Sequence, residues 1–231
     1  MPGKETALVV GVGPGLGAAL ARRFAGEGLR VAVAAREASR LSDLAEEIGG
    51  RAYGCDATSE EQVTALFRRV GEELGPPDLV VYNAGAYAPK TVLETEAAEF
   101  ERCWRVGCLG GFLVGRAAAR AMLDKGGDRA AGTILFTGAT ASLRGAARFA
   151  NLAVGKFGLR ALAQSMAREL GPRGIHVAHV VIDGRIAPSG AGNRDDRLQP
   201  DAIAEVYWQL HRQPRSAWTQ ELDLRPWVEK F

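Results

Sequence analysis

The sequence predicts a doubly wound α/β fold, with a seven-stranded, mostly parallel sheet and helices on both faces. Three observations lead there. Short apolar runs alternate with helical patterns from end to end, with no repeat and no linker. The runs are apolar at consecutive positions, the mark of strands buried on both faces rather than one. The first run, Ala7-Leu8-Val9-Val10, passes straight into Gly11-Val12-Gly13-Pro14-Gly15-Leu16-Gly17 and then into an amphipathic pattern of Leu16, Ala19, Leu20 and Phe24.

Strand-like runs fall at 6–10, 29–34, 51–55, 78–82, 133–137, 176–182 and 218–223. Behind Ser39, the residues Leu41, Leu44 and Ile48 repeat at helical spacing. Ser59-x-x-Gln62 reads as a capping box that opens a helix with Val63, Leu66, Phe67 and Val70 inside. Residues 97–123 read as one long helix, and 150–170 as another that stops at Gly171-Pro172. The stretch 184–200, rich in Gly, Arg and Asp, is the one irregular segment. From Pro200 a helix carries Ile203, Val206, Tyr207 and Leu210. Loop and helix together, 184–217, are expected to form a lid-like insertion in a single domain spanning 1–231. The tail holds Trp218, Trp227 and Phe231, which suit a subunit interface or the core equally.

Composition narrows the function classes. The chain has 231 residues, 47% hydrophobic and 24% charged, enough for a full core in one domain. A net charge of +2, with bases and acids interspersed, points to neither nucleic acid nor a membrane surface as partner. No apolar run reads as long enough to span a bilayer. One lysine before a glycine-broken apolar stretch is not the pattern of a signal peptide. Three cysteines, Cys55, Cys103 and Cys108, are odd in number and lack metal spacing. They read as reduced thiols in a cytoplasmic protein without a metal site.

The glycine turn carries the first chemistry. A buried strand, a glycine turn and a helix start, in that order, make a phosphate cradle. Glycines let the backbone approach, and the helix start offers unpaired N–H groups. The G-x-G-x-x-G spacing would need glycine at 16, where Leu16 stands, so the fitting pattern is G-x-x-x-G-x-G over Gly11, Gly15 and Gly17. Further segments fall into register with it. Asp56-Ala57-Thr58 follows the third strand and Asn83-Ala84-Gly85 the fourth. Lys156 lies in the helix that ends Ala167-Arg168-Glu169-Leu170-Gly171-Pro172. From about residue 5 to 184 the chain thereby resembles the short-chain dehydrogenase/reductase family.

The resemblance implies a Rossmann-type three-layer sandwich, a nicotinamide dinucleotide and a homodimer or homotetramer. It implies that Gly11, Gly15 and Gly17 hold the pyrophosphate, with Gly13 and Leu16 of the same turn also binding the cofactor. Asp56 and Ala57 would meet the adenine, while Asn83, Ala84 and Gly85 line the ribose and steady the central sheet. The second strand ends Ala34-Ala35-Arg36. A carboxylate there suits a ribose 2′-hydroxyl, whereas a guanidinium pairs with a 2′-phosphate. Arg36, with help from Arg40, therefore favours NADP(H) over NAD(H).

The pattern breaks at the catalytic positions. The family uses a tyrosine four residues before the lysine, a serine thirteen before the tyrosine, and an asparagine in the preceding long helix. Here those positions hold Leu152, Ala139 and Cys108, and only Lys156 remains. Lys156 has two readings, a ribose-binding lysine or a solvated helix lysine. The nearest hydroxyls that could supply the proton are Thr140, Ser142 and Tyr87. Asp183, where the family commonly has proline, shapes the nicotinamide pocket or closes a turn. Three functions stay open: an oxidoreductase with a non-standard proton donor, an NADP(H)-binding protein that acts as sensor or interaction partner, and a structural subunit that has lost the cofactor, against which the intact glycine turn and Arg36 speak.

Overall fold

The computed structural model describes residues 4–125, 132–188, 190, 192 and 195–230. Seven parallel strands run through it: β1 Thr6–Val10, β2 Arg30–Ala35, β3 Arg51–Gly54, β4 Leu79–Tyr82, β5 Gly132–Thr137, β6 Ile175–Ile182 and β7 Glu221–Leu224. Their order in the sheet is β3-β2-β1-β4-β5-β6-β7. β1 pairs with β2 through Thr6↔Arg30 to Val10↔Ala34, and with β4 through Ala7↔Leu79 to Val10↔Tyr82. The chain reverses its winding between β1 and β4, and a crevice opens at such a switch point beyond the strand ends.

The apolar runs fold as expected because both sides of them are covered. Leu8, Val80 and Ile134 point into one core with α3 (Glu60–Leu74), α5 (Gly110–Leu123) and α6 (Ala150–Leu170). Val9, Val81 and Leu135 point into the other with α1 (Leu16–Gly26) and α7 (Pro200–His211). Each such side chain, fully buried, contributes about 1.5–3 kcal/mol. A short helix α2 (Ser42–Glu47) follows a 3-10 turn at Ala38–Leu41, so the pattern behind Ser39 yields less helix than its spacing suggests.

Five expectations need correction. The helix over 97–123 is interrupted: α4 (Ala97–Trp104) and α5 flank a π turn at Arg105–Leu109. There Gly107 passes Gly155 of α6 so closely that a Cβ on Gly107 would sit 3.0 Å from the Gly155 Cα. By length and composition this 27-residue run is apolar enough to cross a membrane, contrary to the sequence reading, yet half of its most apolar window is buried in the protein. It is a core helix, with Gly110, Gly111, Leu113 and Val114 inside.

The capping box is half made. Ser59 accepts from the Gln62 N–H, but Gln62 Oε1 accepts from the Asp56 N–H at 2.8 Å rather than reaching back to residue 59. The insertion over 184–217 is not a lid throughout. Its base is pinned by Ala187 N–H to Leu198 O at 2.8 Å and Leu198 N–H to Arg185 O at 3.0 Å. Its helix, α7, buries Ile203, Ala204, Tyr207 and Leu210 against the sheet. Residues 189, 191, 193 and 194 of that stretch lie outside the described residues. Finally, the last strand starts at Glu221 instead of 218. Trp218 packs within the chain, stacked on His176 with ring centres 5.0 Å apart, while Trp227 is exposed and Phe231 is outside the described residues.

Candidate active site

The glycine turn lies at the end of β1, where the crevice opens. Gly11 has φ +87°, and a Cβ there would lie 2.4 Å from the Ala84 nitrogen. No other residue type fits that approach. The neighbouring Asn83 amide donates to Gly11 O at 3.0 Å and so locks the ends of β1 and β4 together. Gly13 and Gly15 have nothing within 4 Å of a built Cβ, so their backbone faces open space. α1 begins at Leu16 with no side-chain cap on Gly15, which leaves its first N–H groups for a ligand. This is a cradle that fits a pyrophosphate.

Two chambers meet at this turn. The smaller, about 430 Å³, is lined by Gly13, Gly15, Leu16, Thr137, Gly138, Ala139, Ile182, Gly184 and Ile186, among others. None of its lining side chains is ionisable. The larger, about 1020 Å³, takes walls from Arg36, Asp56, Ala57, Asn83, Ala84, Gly85, Tyr87 and Arg102. Its guanidiniums are those of Arg22, Arg36, Arg40 and Arg102. Arg22 is held by Glu47, at 2.6 Å, and Arg40 by Glu37, at 2.8 Å. Arg40, exposed, is thus engaged with Glu37. No ion pair holds Arg36 or Arg102 among the described residues. Asp56 Oδ1 is spent on Thr58, accepting from its N–H and its hydroxyl at 2.9 and 2.8 Å, so it also closes the local turn.

The catalytic positions gather at the ends of β4, β5 and β6. Lys156 is buried, which overturns the solvated-lysine reading. Its Nζ donates to Thr137 O at 2.6 Å and lies beside Gly85. Burial without a carboxylate pushes its ammonium down to about 8. Leu152 stands one turn earlier on α6, and Ala139 lines the smaller chamber.

The substitute hydroxyls fare unequally. Thr140 donates to Asp183 at 2.5 Å, and Arg225 holds the other Asp183 oxygen at 3.2 Å. Ser142 is fully buried and accepts from the Ala139 N–H at 3.1 Å, so it turns away from the chambers. Tyr87 lines the larger chamber and stacks on Phe149, 4.7 Å between centres. Cys108 lies in the π turn with its sulfur against Gly158 of α6.

Comparison with known proteins agrees with this geometry. The family model described as short chain dehydrogenase matches residues 5–193. The chain belongs to the short-chain dehydrogenase/reductase family. A member from Armillaria gallica is 39% identical over 183 residues, covering 75% of this chain and 68% of that protein. A short-chain dehydrogenase from Rhodopseudomonas palustris superposes with a TM-score of 0.85 at 43% identity, covering 98% of this chain and 100% of that one. An alcohol dehydrogenase from Thermococcus sibiricus, complexed with 5-hydroxy-NADP, gives 0.86 at 26% identity over 99% of both chains.

Short-chain dehydrogenases are oxidoreductases, and this one keeps their nucleotide-binding frame. Some of its lining residues carried no signal in the sequence. Arg102 lies on an exposed helix face among other charges, and it is the packing of α4 against α6 and the π turn that sets this helix beside the cleft. Thr137 acts through its carbonyl, which any residue there would supply.

Proposed function

We propose that this short-chain dehydrogenase is an NADP(H)-dependent oxidoreductase acting on a small carbonyl or alcohol, with a proton donor other than tyrosine. The observation that carries this is the paired chambers at the switch point, with an open glycine turn between them and an unpaired Arg36 at the rim. The relative complexed with 5-hydroxy-NADP supports the choice of nucleotide. Gly13, Gly15 and the start of α1 would hold the pyrophosphate, Asp56 and Ala57 the adenine, Arg36 the 2′-phosphate, and Lys156 the nicotinamide ribose. The bound nicotinamide supplies hydride transfer. Ala139 and the small chamber, whose lining side chains are not ionisable, would lie beside the nicotinamide and orient the carbonyl.

A second reading rests on Leu152 and Ala139, which remove the tyrosine and serine: NADP(H) binding without turnover, as a sensor or interaction partner. We expect a cytoplasmic protein, in keeping with three free cysteines, that associates with copies of itself.

Fluorescence titration tests the nucleotide site. NADPH should bind more tightly than NADH, and Arg36→Ala should weaken NADPH about tenfold while leaving NADH nearly unchanged. Equal affinities that Arg36→Ala does not alter would refute the preference. NADPH consumption across a panel of aldehydes, ketones and keto esters then separates the two readings. Turnover supports the oxidoreductase, and tight binding without turnover supports the sensor.

A further inference from the structure

We infer that Lys156 is itself the proton donor and acceptor of the reaction, in place of the missing tyrosine. This rests on the hydride-transfer reading above. No side chain lining the smaller chamber can exchange a proton near neutral pH. Behind that lining, His179 lies against Gly138 and Tyr207 is bonded to the Thr137 hydroxyl, and burial keeps both neutral; two further ionisable groups remain. Asp183, between the lining residues Ile182 and Gly184, is already bound by Thr140 and Arg225. Lys156 sits behind Thr137 and Gly85 with a single acceptor, Thr137 O at 2.6 Å. An ammonium has three N–H donors, so two remain for a ligand.

The surroundings leave its charge uncompensated. On β6, His179 is pushed by burial to about 4 and is neutral. Cys108 of the π turn, Cys103 of α4 and Tyr82 of β4 are pushed upward by burial and are neutral as well. Arg160, on α6 itself, is bound to Glu221, and Arg105 of the π turn reaches Thr58 O and Glu101. No carboxylate is paired with Nζ among the described residues. A buried ammonium without a counter-charge gives up its proton more readily, and a value of about 8 suits exchange near neutral pH.

The step balances as follows. Hydride passes from the reduced nicotinamide to the carbonyl carbon. The carbonyl oxygen takes a proton from the Lys156 ammonium, and the neutral amine regains one from solvent. Alcohol oxidation runs the same exchange backwards.

The test is the pH dependence of kcat for the fastest carbonyl of the panel, in the wild type and in Lys156→Arg. For reduction, kcat should fall about tenfold per pH unit above roughly 8, where the amine is neutral. Arginine keeps the positive charge for the ribose but does not release its proton. Lys156→Arg should therefore bind NADPH and lose about a hundredfold or more in kcat. Turnover that survives in Lys156→Arg, or a profile flat through that limb, overturns Lys156 as donor and leaves the oxidoreductase reading standing. Absence of any turnover in the wild type overturns both.

Should Lys156→Arg fail to bind NADPH, Leu152→Tyr decides. A phenol one turn away should take over the exchange and move the limb, and a limb that stays in place overturns the assignment.

Discussion

Gly11 shows how much of this site hangs on one residue. Its positive φ is a conformation that costs a side-chain-bearing residue about 1–2 kcal/mol. Its missing Cβ also makes room for the Ala84 backbone, which has no flexible end to swing aside. Gly11→Ala should therefore destabilise the fold by roughly 2–5 kcal/mol and push β1 and β4 apart at the cradle. Urea unfolding and NADPH titration should both register it, and a variant with wild-type midpoint and affinity would refute this account. Gly138 constrains the catalytic register in the same way. A Cβ there would fall 2.3 Å from His179 Nε2, so the position next to Ala139 cannot carry a serine in its place without displacing that ring.

At the scale of elements, β6, β7 and α6 are joined by a partly buried charge network. Arg160 of α6 grips Glu221 of β7 through two bonds of 2.6 and 2.7 Å. The same carboxylate faces His179 of β6 at 3.1 Å, and because arginine holds it ionised, His179 Nδ1 must donate. Burial depresses the His179 pKa to about 4, against about 6.5 in an unfolded chain. Between those values the unfolded chain binds more protons, so stability is full above about pH 6.5 and falls on acidification toward 4. The loss should approach 1.4 kcal/mol per pH unit there, up to about 3 kcal/mol in all. Urea midpoints between about pH 7 and pH 5 should show this slope, and His179→Gln should flatten it. An equal slope in both proteins would assign the acid sensitivity elsewhere. The elements themselves were unequally legible. β1, β4, β5 and β6 could be read because both faces are buried and most positions are apolar, with Thr6, Thr133, Thr137, His176 and His179 as the buried polar exceptions. β7 slipped because Glu-Leu-Asp-Leu is a half-exposed edge strand. The π turn left no local trace, since it answers to Gly155 on a distant helix. The glycine turn and Lys156 were legible as types at a spacing. The burial of Lys156, the capture of Arg40 by Glu37 and the arrival of Arg102 were not, because each depends on which elements pack together.

At the scale of the whole molecule, several of the large apolar side chains left uncovered gather on two packed helices. α4 and α6 lie against each other, and Phe100 and Trp104 on one, with Val154 and Phe157 on the other, remain exposed. Leu93, in the loop before α4, is 98% exposed. Contiguous apolar surface of this kind is costly in water, and a second copy of the chain would bury it on both sides at once. Burial of about 800 Å² per partner suffices for a stable pair. Sedimentation should therefore find a dimer or larger at micromolar concentration. A Trp104→Glu, Phe157→Glu double variant should sediment as a monomer with unchanged circular dichroism, because an unpaired charge in an interface core costs several kcal/mol. A wild type that stays monomeric at tens of micromolar would refute this. Such an association would also bear on the site. Phe157 faces outward from the same turn of α6 that sends Lys156 inward, so a neighbour pressed on α6 would steady the helix that carries the lysine. The monomeric variant should accordingly bind NADPH more weakly than the parent, although neither substituted residue lines either chamber.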